Sequence, residues 1–326
     1  MRVTDHSRCA AHEPSKMRRY AIAMFRRSGS HHDPQRRIPI GHLRRRNSNP
    51  SRHGKARSSL APNLRGSPVS ATPIYLGIDV ACASKKRLPI CAAALGSTIE
   101  PLEIPASLLR LIPRGRGNRE ITEVAPFRDA ARGVARAIGQ IAREMGWRIE
   151  RIAIDAPAAP PKAGARASEA ELGRCGLSSF RTPAAPDWIG IREACIRHLD
   201  GGGSLAKLPH ANKIWMMFGF EMFASLREES AAEVIEVYPF SIVRALLPSC
   251  EHKSTEQGYR DQLAAVAFRT GWDPDRLEGR LKGSVAGSRH DRLDAFMAAW
   301  VASLPPGARR TYGDAQKPDD SIWVPV

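Results

Sequence analysis

Residues 148–157 read RIERIAIDAP. Ile149, Ile152 and Ile154 form a β-branched run suited to a central position in a sheet, and Pro157 ends it because proline has no N–H to give to a ladder. Asp155 is thereby left at the strand's C-terminal end. Residues 74–80, IYLGIDV, repeat the pattern, an apolar run closing on Asp79. Two such strands, if parallel neighbours, bring both carboxylates to one sheet edge across a spacing of about 4.8 Å.

The pattern continues on both sides. Residues 88–95 (LPICAAAL) and 97–104 (STIEPLEI) read as second and third strands, with Gly96-Ser97 as a tight connection, so the first three strands form an antiparallel meander. Over residues 126–145 apolar positions recur at helical spacing (Ala130, Val134, Ile138, Ile141, Met145), and Gly146 stops them. Residues 156–210 are rich in Pro, Gly and Ser and carry one short amphipathic piece near residues 191–199. They predict a loop-rich insertion, spanning about 156–230 with the helix that closes it. That helix covers about 212–229. A fifth strand (AEVIEVYP, 232–239), helices over 257–270 and 291–303, and a short edge strand or clamp at SIWVPV (321–326) complete the chain.

The order is therefore β-β-β-α-β-insertion-α-β-α-α. It predicts an α/β fold with a mixed five-stranded sheet flanked by helices, in the ribonuclease-H-like topology, over residues 74–326.

The 326-residue chain has a formal charge of +17, and most of that charge is local. Residues 1–73 carry 16 Lys and Arg against 3 Asp and Glu; the rest carries 34 against 30. So basic and apolar-poor a stretch cannot bury enough surface to offset its ordering entropy, and it predicts a disordered tail. It reads either as a basic arm adding non-specific phosphate contacts or as a dispensable extension. The six cysteines have no CxxC pair and no regular spacing, which points to reduced thiols in the cytoplasm. The longest apolar run, residues 214–226, is shorter than the roughly 20 residues a bilayer span needs, so no membrane is expected. Arg18-Arg19 lacks the apolar segment of an export signal.

The candidate site is a set of acids. Asp291 and Asp294, in RHDRLDAF, are three apart and share one face at the start of a helix, whose N-terminus favours negative charge. With Asp79 and Asp155 they make a catalytic set that could not stay together uncompensated. Hard divalent cations, Mg²⁺ or Mn²⁺ and two of them, follow from that repulsion. Paired ions can activate water and stabilise the departing oxygen of a phosphodiester. The expected metal ligands are Asp79, Asp155 and Asp294, with Glu236 either joining them or pairing structurally with a base. Asp291 serves as ligand or as the helix N-cap, and each acid taken alone could merely end a strand or cap a turn.

For substrate, Lys253 in EHKSTEQGYR either meets a phosphate at the following helix start or belongs to a solvated capping segment. Arg174 and Arg181 either clamp phosphates or pair with acids of the domain, and His290 is a proton-shuttle or ligand candidate. The aromatic residues of 214–223 read as core. Trp188 and Trp272, in loop-like settings, are the better candidates for base stacking. Gly201-Gly202-Gly203 lacks the Lys-Ser/Thr of a phosphate loop and reads as a flexible connector.

Taken in order, GIDVA, IDAP, EVYP, HKST-x-x-GYR, DRLDAFMAAW and GD followed by SIWVP resemble the domain-of-unknown-function 429 family over residues 74–326. The resemblance implies a ribonuclease-H-like nuclease with Asp79, Asp155 and the Asp291/Asp294 pair at its acidic positions. The final helix is also similar to that of Holliday-junction resolvases, which carries acids three apart. Arg292, where a small residue is expected, and the proline-rich IDAPAAPPK depart from the pattern. Two functions are thus expected in competition: a Mg²⁺- or Mn²⁺-dependent nuclease acting on DNA or RNA, and a non-catalytic scaffold that binds nucleic acid or protein. A sugar-kinase or actin-like reading would need glycine-rich phosphate loops after two strands, and the sequence has none.

Overall fold

The computed structural model describes residues 71–80, 84–115, 124–314 and 316–326; the expected basic tail lies outside the described residues. Seven strands form one sheet: β1 (Thr72–Asp79), β2 (Ile90–Leu95), β3 (Ile99–Leu102), β4 (Trp147–Asp155), β5 (Glu233–Val237), β6 (Arg309–Gly313) and β7 (Ser321–Pro325). Their order is β3-β2-β1-β4-β5-β7-β6. β1, β2 and β3 make the antiparallel meander. β1 runs parallel to β4, β4 to β5 and β5 to β7, while β6 closes antiparallel on β7.

All five expected strands are present, but the expected count of five is corrected to seven. SIWVPV is no edge: β7 sits between β5 and β6. The residues of β6, RRTYG, begin with two arginines. In the fold the Arg309 guanidinium lies 4.3 Å over the Trp323 ring, a contact that offsets part of the cost of burying Nε and Nη1, which have no hydrogen-bond partner.

Nine helices are found among the described residues: α1 (Ala106–Leu109), α2 (Ala125–Met145), α3 (Ala167–Arg174), α4 (Ala185–Asp200), α5 (Ala211–Glu229), α6 (Pro239–Leu246), α7 (Glu256–Thr270), α8 (Pro274–Ser284) and α9 (Arg289–Ser303). The loop-rich insertion is corrected to a largely helical one. One of its prolines sits at a helix start: Pro186 lies in the first turn of α4, where Asp187 accepts the Ala184 N–H at 3.0 Å. Trp188 is therefore helical and buried, edge-on to Phe220 at 5.6 Å. Trp272 is tied down too, its indole N–H donating to the Ile99 carbonyl at 2.9 Å.

Side chains alternate across the sheet. Ile74, Leu76, Ile78, Ile152 and Ile154 face a core completed by α2, α4 and α5. On the other face, Ala153, Ile235 and Val237 meet α6, α7, α8 and α9. Helix α9 is buried from Leu293 to Ser303, as expected of a helix that is apolar on all sides. It lies directly on β1. A Cβ at Gly77 would overlap the Ala295 carbonyl oxygen and the Ala299 nitrogen, both backbone atoms that no rotamer change can move. Gly77→Ala should therefore destabilise the fold by roughly 1–3 kcal/mol, or more, in urea unfolding. A change within about 0.5 kcal/mol, the usual scatter of unconstrained sites, would show that the helix is not seated there.

Candidate functional site

The seat of α9 on Gly77 brings three acids to one place. β1 and β4 are parallel and in register, with Asp79 opposite Asp155. Both are two residues beyond small residues, Gly77 and Ala153, on the face that α9 covers. Ser288 caps α9, accepting the Asp291 N–H at 3.4 Å, while Asp291 returns a carboxylate to the Ser288 N–H at 2.8 Å. This reciprocal box commits Asp291 to the cap. Asp294, one turn on, is only 2% exposed and lies within electrostatic reach of both strand acids.

The Lys253 ammonium donates to the Asp294 carboxylate. Burial, then the charges of Asp294 and Asp155, hold the Asp79 carboxyl well above the usual carboxylate range. Burial and Asp294 do the same to Asp155, against the pull of Lys253. Burial also raises Asp294, with Lys253 opposing. Desolvation would lower the Lys253 ammonium, but Asp294, Asp155 and Asp79 outweigh it and raise it. One oxygen of Asp155, Oδ1, is buried with no hydrogen-bond partner.

The loop that carries Lys253 is fixed by its neighbours. Thr255 caps α7, accepting the Gly258 N–H at 2.9 Å, and Gln262 donates to the Glu251 carbonyl at 3.0 Å. A side chain at position 258 would strike the His252 carbonyl, so this turn requires glycine. The spacing in HKST-x-x-GYR is thus the spacing of a cap with a lysine two residues before it that reaches α9. The segment does cap a helix, as the second reading has it, but its lysine is not simply solvated: it is paired with Asp294.

Glu236 pairs in register with Ile154, not with Asp155, and so lies on the opposite face of the sheet. There it accepts two hydrogen bonds from the Arg166 guanidinium, at 2.7 and 2.6 Å, and one from the Ala158 N–H at 2.8 Å. It takes the structural alternative among its two readings. Burial raises its carboxyl while Arg166 and Ala158 oppose the shift. Strand periodicity alone separates positions 236 and 155, once Asp155 is aligned with Val237. Arg166, 2% exposed, carries no comparable signal within PKAGARASEAEL.

Arg174, in the last turn of α3, and Arg181, beside Phe180, are both exposed. His290 packs edge-on against Tyr259 at 5.0 Å, and burial, then Arg289, lower its pKa. At the C-terminal ends of β4 and β5 a cleft is lined by Asp155, Glu236, Phe180, Trp215 and Tyr238, among others. Burial, then the Asp155 charge, pushes the Tyr238 hydroxyl up to about 12.

Among the described residues, no group of three or more His, Cys, Asp or Glu side chains is set to hold a metal ion. Asp291 is turned to its cap, and Lys253 stands against Asp294. Carboxylate oxygens are the donors a hard cation takes, and one of them, Asp155 Oδ1, is buried without a partner.

A family model described as protein of unknown function (DUF429) matches residues 123–317. The matched span takes in Asp155, Lys253, Asp291 and Asp294, and leaves Asp79 outside. No curated protein and no solved structure matches.

Proposed function

From a chain that belongs to the DUF429 family, whose description assigns no activity, we propose a cytoplasmic, Mg²⁺- or Mn²⁺-dependent nuclease that hydrolyses a phosphodiester bond at Asp79, Asp155 and Asp294. The observation that carries this reading is a charge imbalance: the buried Asp294 and the half-buried Asp79 and Asp155 meet one ammonium, and the buried Asp155 Oδ1 has no partner. Burying ionised groups is costly unless they are paired, and a fold does not keep such a cluster for stability. A ribonuclease-H-like architecture is consistent with the order of the first five strands, β3-β2-β1-β4-β5, with β2 antiparallel. No helix among the described residues is long and apolar enough to cross a membrane.

In this reading Asp79, Asp155 and Asp294 would hold one or two ions, which when bound would supply an activated water and stabilise the departing oxygen. Lys253, paired with Asp294 in the metal-free chain, would then be available to meet a substrate phosphate. Asp291 keeps the start of α9 in place, and Glu236 with Arg166 fixes the loop that follows β4 from the other face. Lys253→Met should therefore bind Mn²⁺ severalfold more tightly than wild type in calorimetric titration, because an internal competitor is gone. Unchanged or weaker binding would mean that Lys253 does not guard the cluster.

The second reading, a non-catalytic scaffold for nucleic acid or protein, is favoured by the Lys253–Asp294 contact, which already neutralises one acid. Incubating the full chain with single-stranded, duplex and branched DNA and RNA, with Mn²⁺ or with chelator, separates the two. Metal-stimulated cleavage of any substrate supports the nuclease; no cleavage, with no Mn²⁺ binding in the millimolar range, supports the scaffold.

A further inference from the structure

The cleft beside Asp155 has an aromatic wall that the carboxylate chemistry does not use. Phe180 is 41% exposed, and its ring centroid lies 5.1 Å from Trp215 and 4.8 Å from Tyr238. Trp215 is held in place, its indole N–H donating to the Asn212 carbonyl at 2.9 Å. Tyr238 follows β5 directly and lies within reach of the Asp155 charge. All three rings line the same cleft as Asp155. This reverses the assignment of stacking residues: Trp188 and Trp272 are tied into the fold, whereas Trp215, within the apolar run 214–223, stands half-buried at the cleft.

Cations flank the rings. Arg181, next to Phe180, is exposed, and its carbonyl accepts the Lys213 ammonium at 2.7 Å. Lys253 lies within electrostatic reach of both Asp155 and Tyr238. Aromatic rings interleaved with basic side chains suit a strand whose bases stack while its phosphates are paired. A duplex keeps its bases inside the helix, so its bases cannot reach such a wall without unstacking.

We propose that one unpaired base of a nucleic-acid strand stacks on the exposed ring of Phe180, at the mouth of the Phe180–Trp215–Tyr238 cleft, with the adjoining phosphate directed toward Asp155. This deepens the nuclease reading and rests on it for the role of Asp155. It makes the preferred substrate single-stranded, or a loop or splayed end, in preference to uninterrupted duplex.

The test is binding of a short labelled oligothymidylate to the full chain in chelator, where cleavage does not intervene, beside an abasic oligomer of equal length and charge. Wild type should prefer the thymidylate, and Phe180→Ala should weaken its binding roughly tenfold or more while leaving the abasic oligomer unaffected. Phe180→Trp should keep the preference, and circular dichroism of each variant establishes that it is folded. Equal binding of the two oligomers by wild type, no binding of either, or an unchanged preference in Phe180→Ala overturns the inference. If cleavage is never seen but the base preference holds and depends on Phe180, the nuclease reading fails and the base site stands. If cleavage is seen with no base preference, the reverse is true.

Discussion

Asp155→Asn should lower metal-stimulated cleavage roughly a thousandfold or more, equivalent to about 4 kcal/mol of transition-state stabilisation, and it should do so without loosening the fold. Its effect on stability should run the other way. Burial and Asp294 hold the Asp155 carboxyl well above its unfolded value, so the folded chain binds its proton more tightly than the unfolded chain does. Stability from this group is then fully present below the unfolded pKa and is lost as pH rises through the folded one. Asparagine carries no such penalty. The variant should match wild type in acid and be the more stable of the two as pH rises, in denaturant titrations run without metal. Asp79→Asn should behave alike, for the same causes. A variant that cleaves like wild type removes Asp155 from the chemistry; one that is less stable at neutral pH means that the carboxylate is structural.

Arg166→Ala is expected to be the costliest change to the fold outside the core. Arg166 and Glu236 are 2% and 4% exposed and share two hydrogen bonds, so truncation leaves a buried carboxylate with only the Ala158 N–H. Removing one partner of such a pair costs about 3–5 kcal/mol. The guanidinium also reaches the Asp319 carbonyl at 2.9 Å, and Asp320 caps the start of α3 through the Ala167 and Ser168 N–H groups, each at 3.0 Å. The loss should therefore loosen the segment between β6 and β7 as well, seen as faster amide exchange there. Replacing both partners, Arg166→Met with Glu236→Gln, should recover part of the stability, because the Glu236 position no longer carries a charge, while Glu169 and Asp320, each 3.7 Å from the guanidinium, still lose their cation. If the single variant unfolds at the wild-type denaturant concentration, the pair contributes nothing.

The central strands and their two aspartates were legible because buried parallel strands are written in local runs of β-branched residues, and because Pro157 and the end of IYLGIDV mark where they stop. The start of α9 was legible for a similar reason: Asp291 and Asp294 differ by one helical turn, which separates a cap from an inward acid once Ser288 is seen. Placing Glu236 took the register of β5 on β4, which sets Val237 beside Asp155. Helix α8 also had a readable start, Asp273 as cap with Pro274 behind it, followed by Leu277 and Leu281 one turn apart. Other features depend on partners remote in sequence. Arg166 is buried by Glu236, 70 residues on, and Lys253 meets Asp294, 41 residues on. β6 needs Trp323 to cover its arginine. The insertion misled because Pro186, read as a breaker, begins α4.

The reading rests on a cation displacing Lys253 among three carboxylates, and diffraction from Mn²⁺-soaked crystals, recorded at the manganese absorption edge, tests that directly. The expected result is an anomalous peak bounded by Asp79, Asp155 and Asp294, with the Lys253 side chain turned away. A map with no peak there and Lys253 still donating to Asp294 would contradict it.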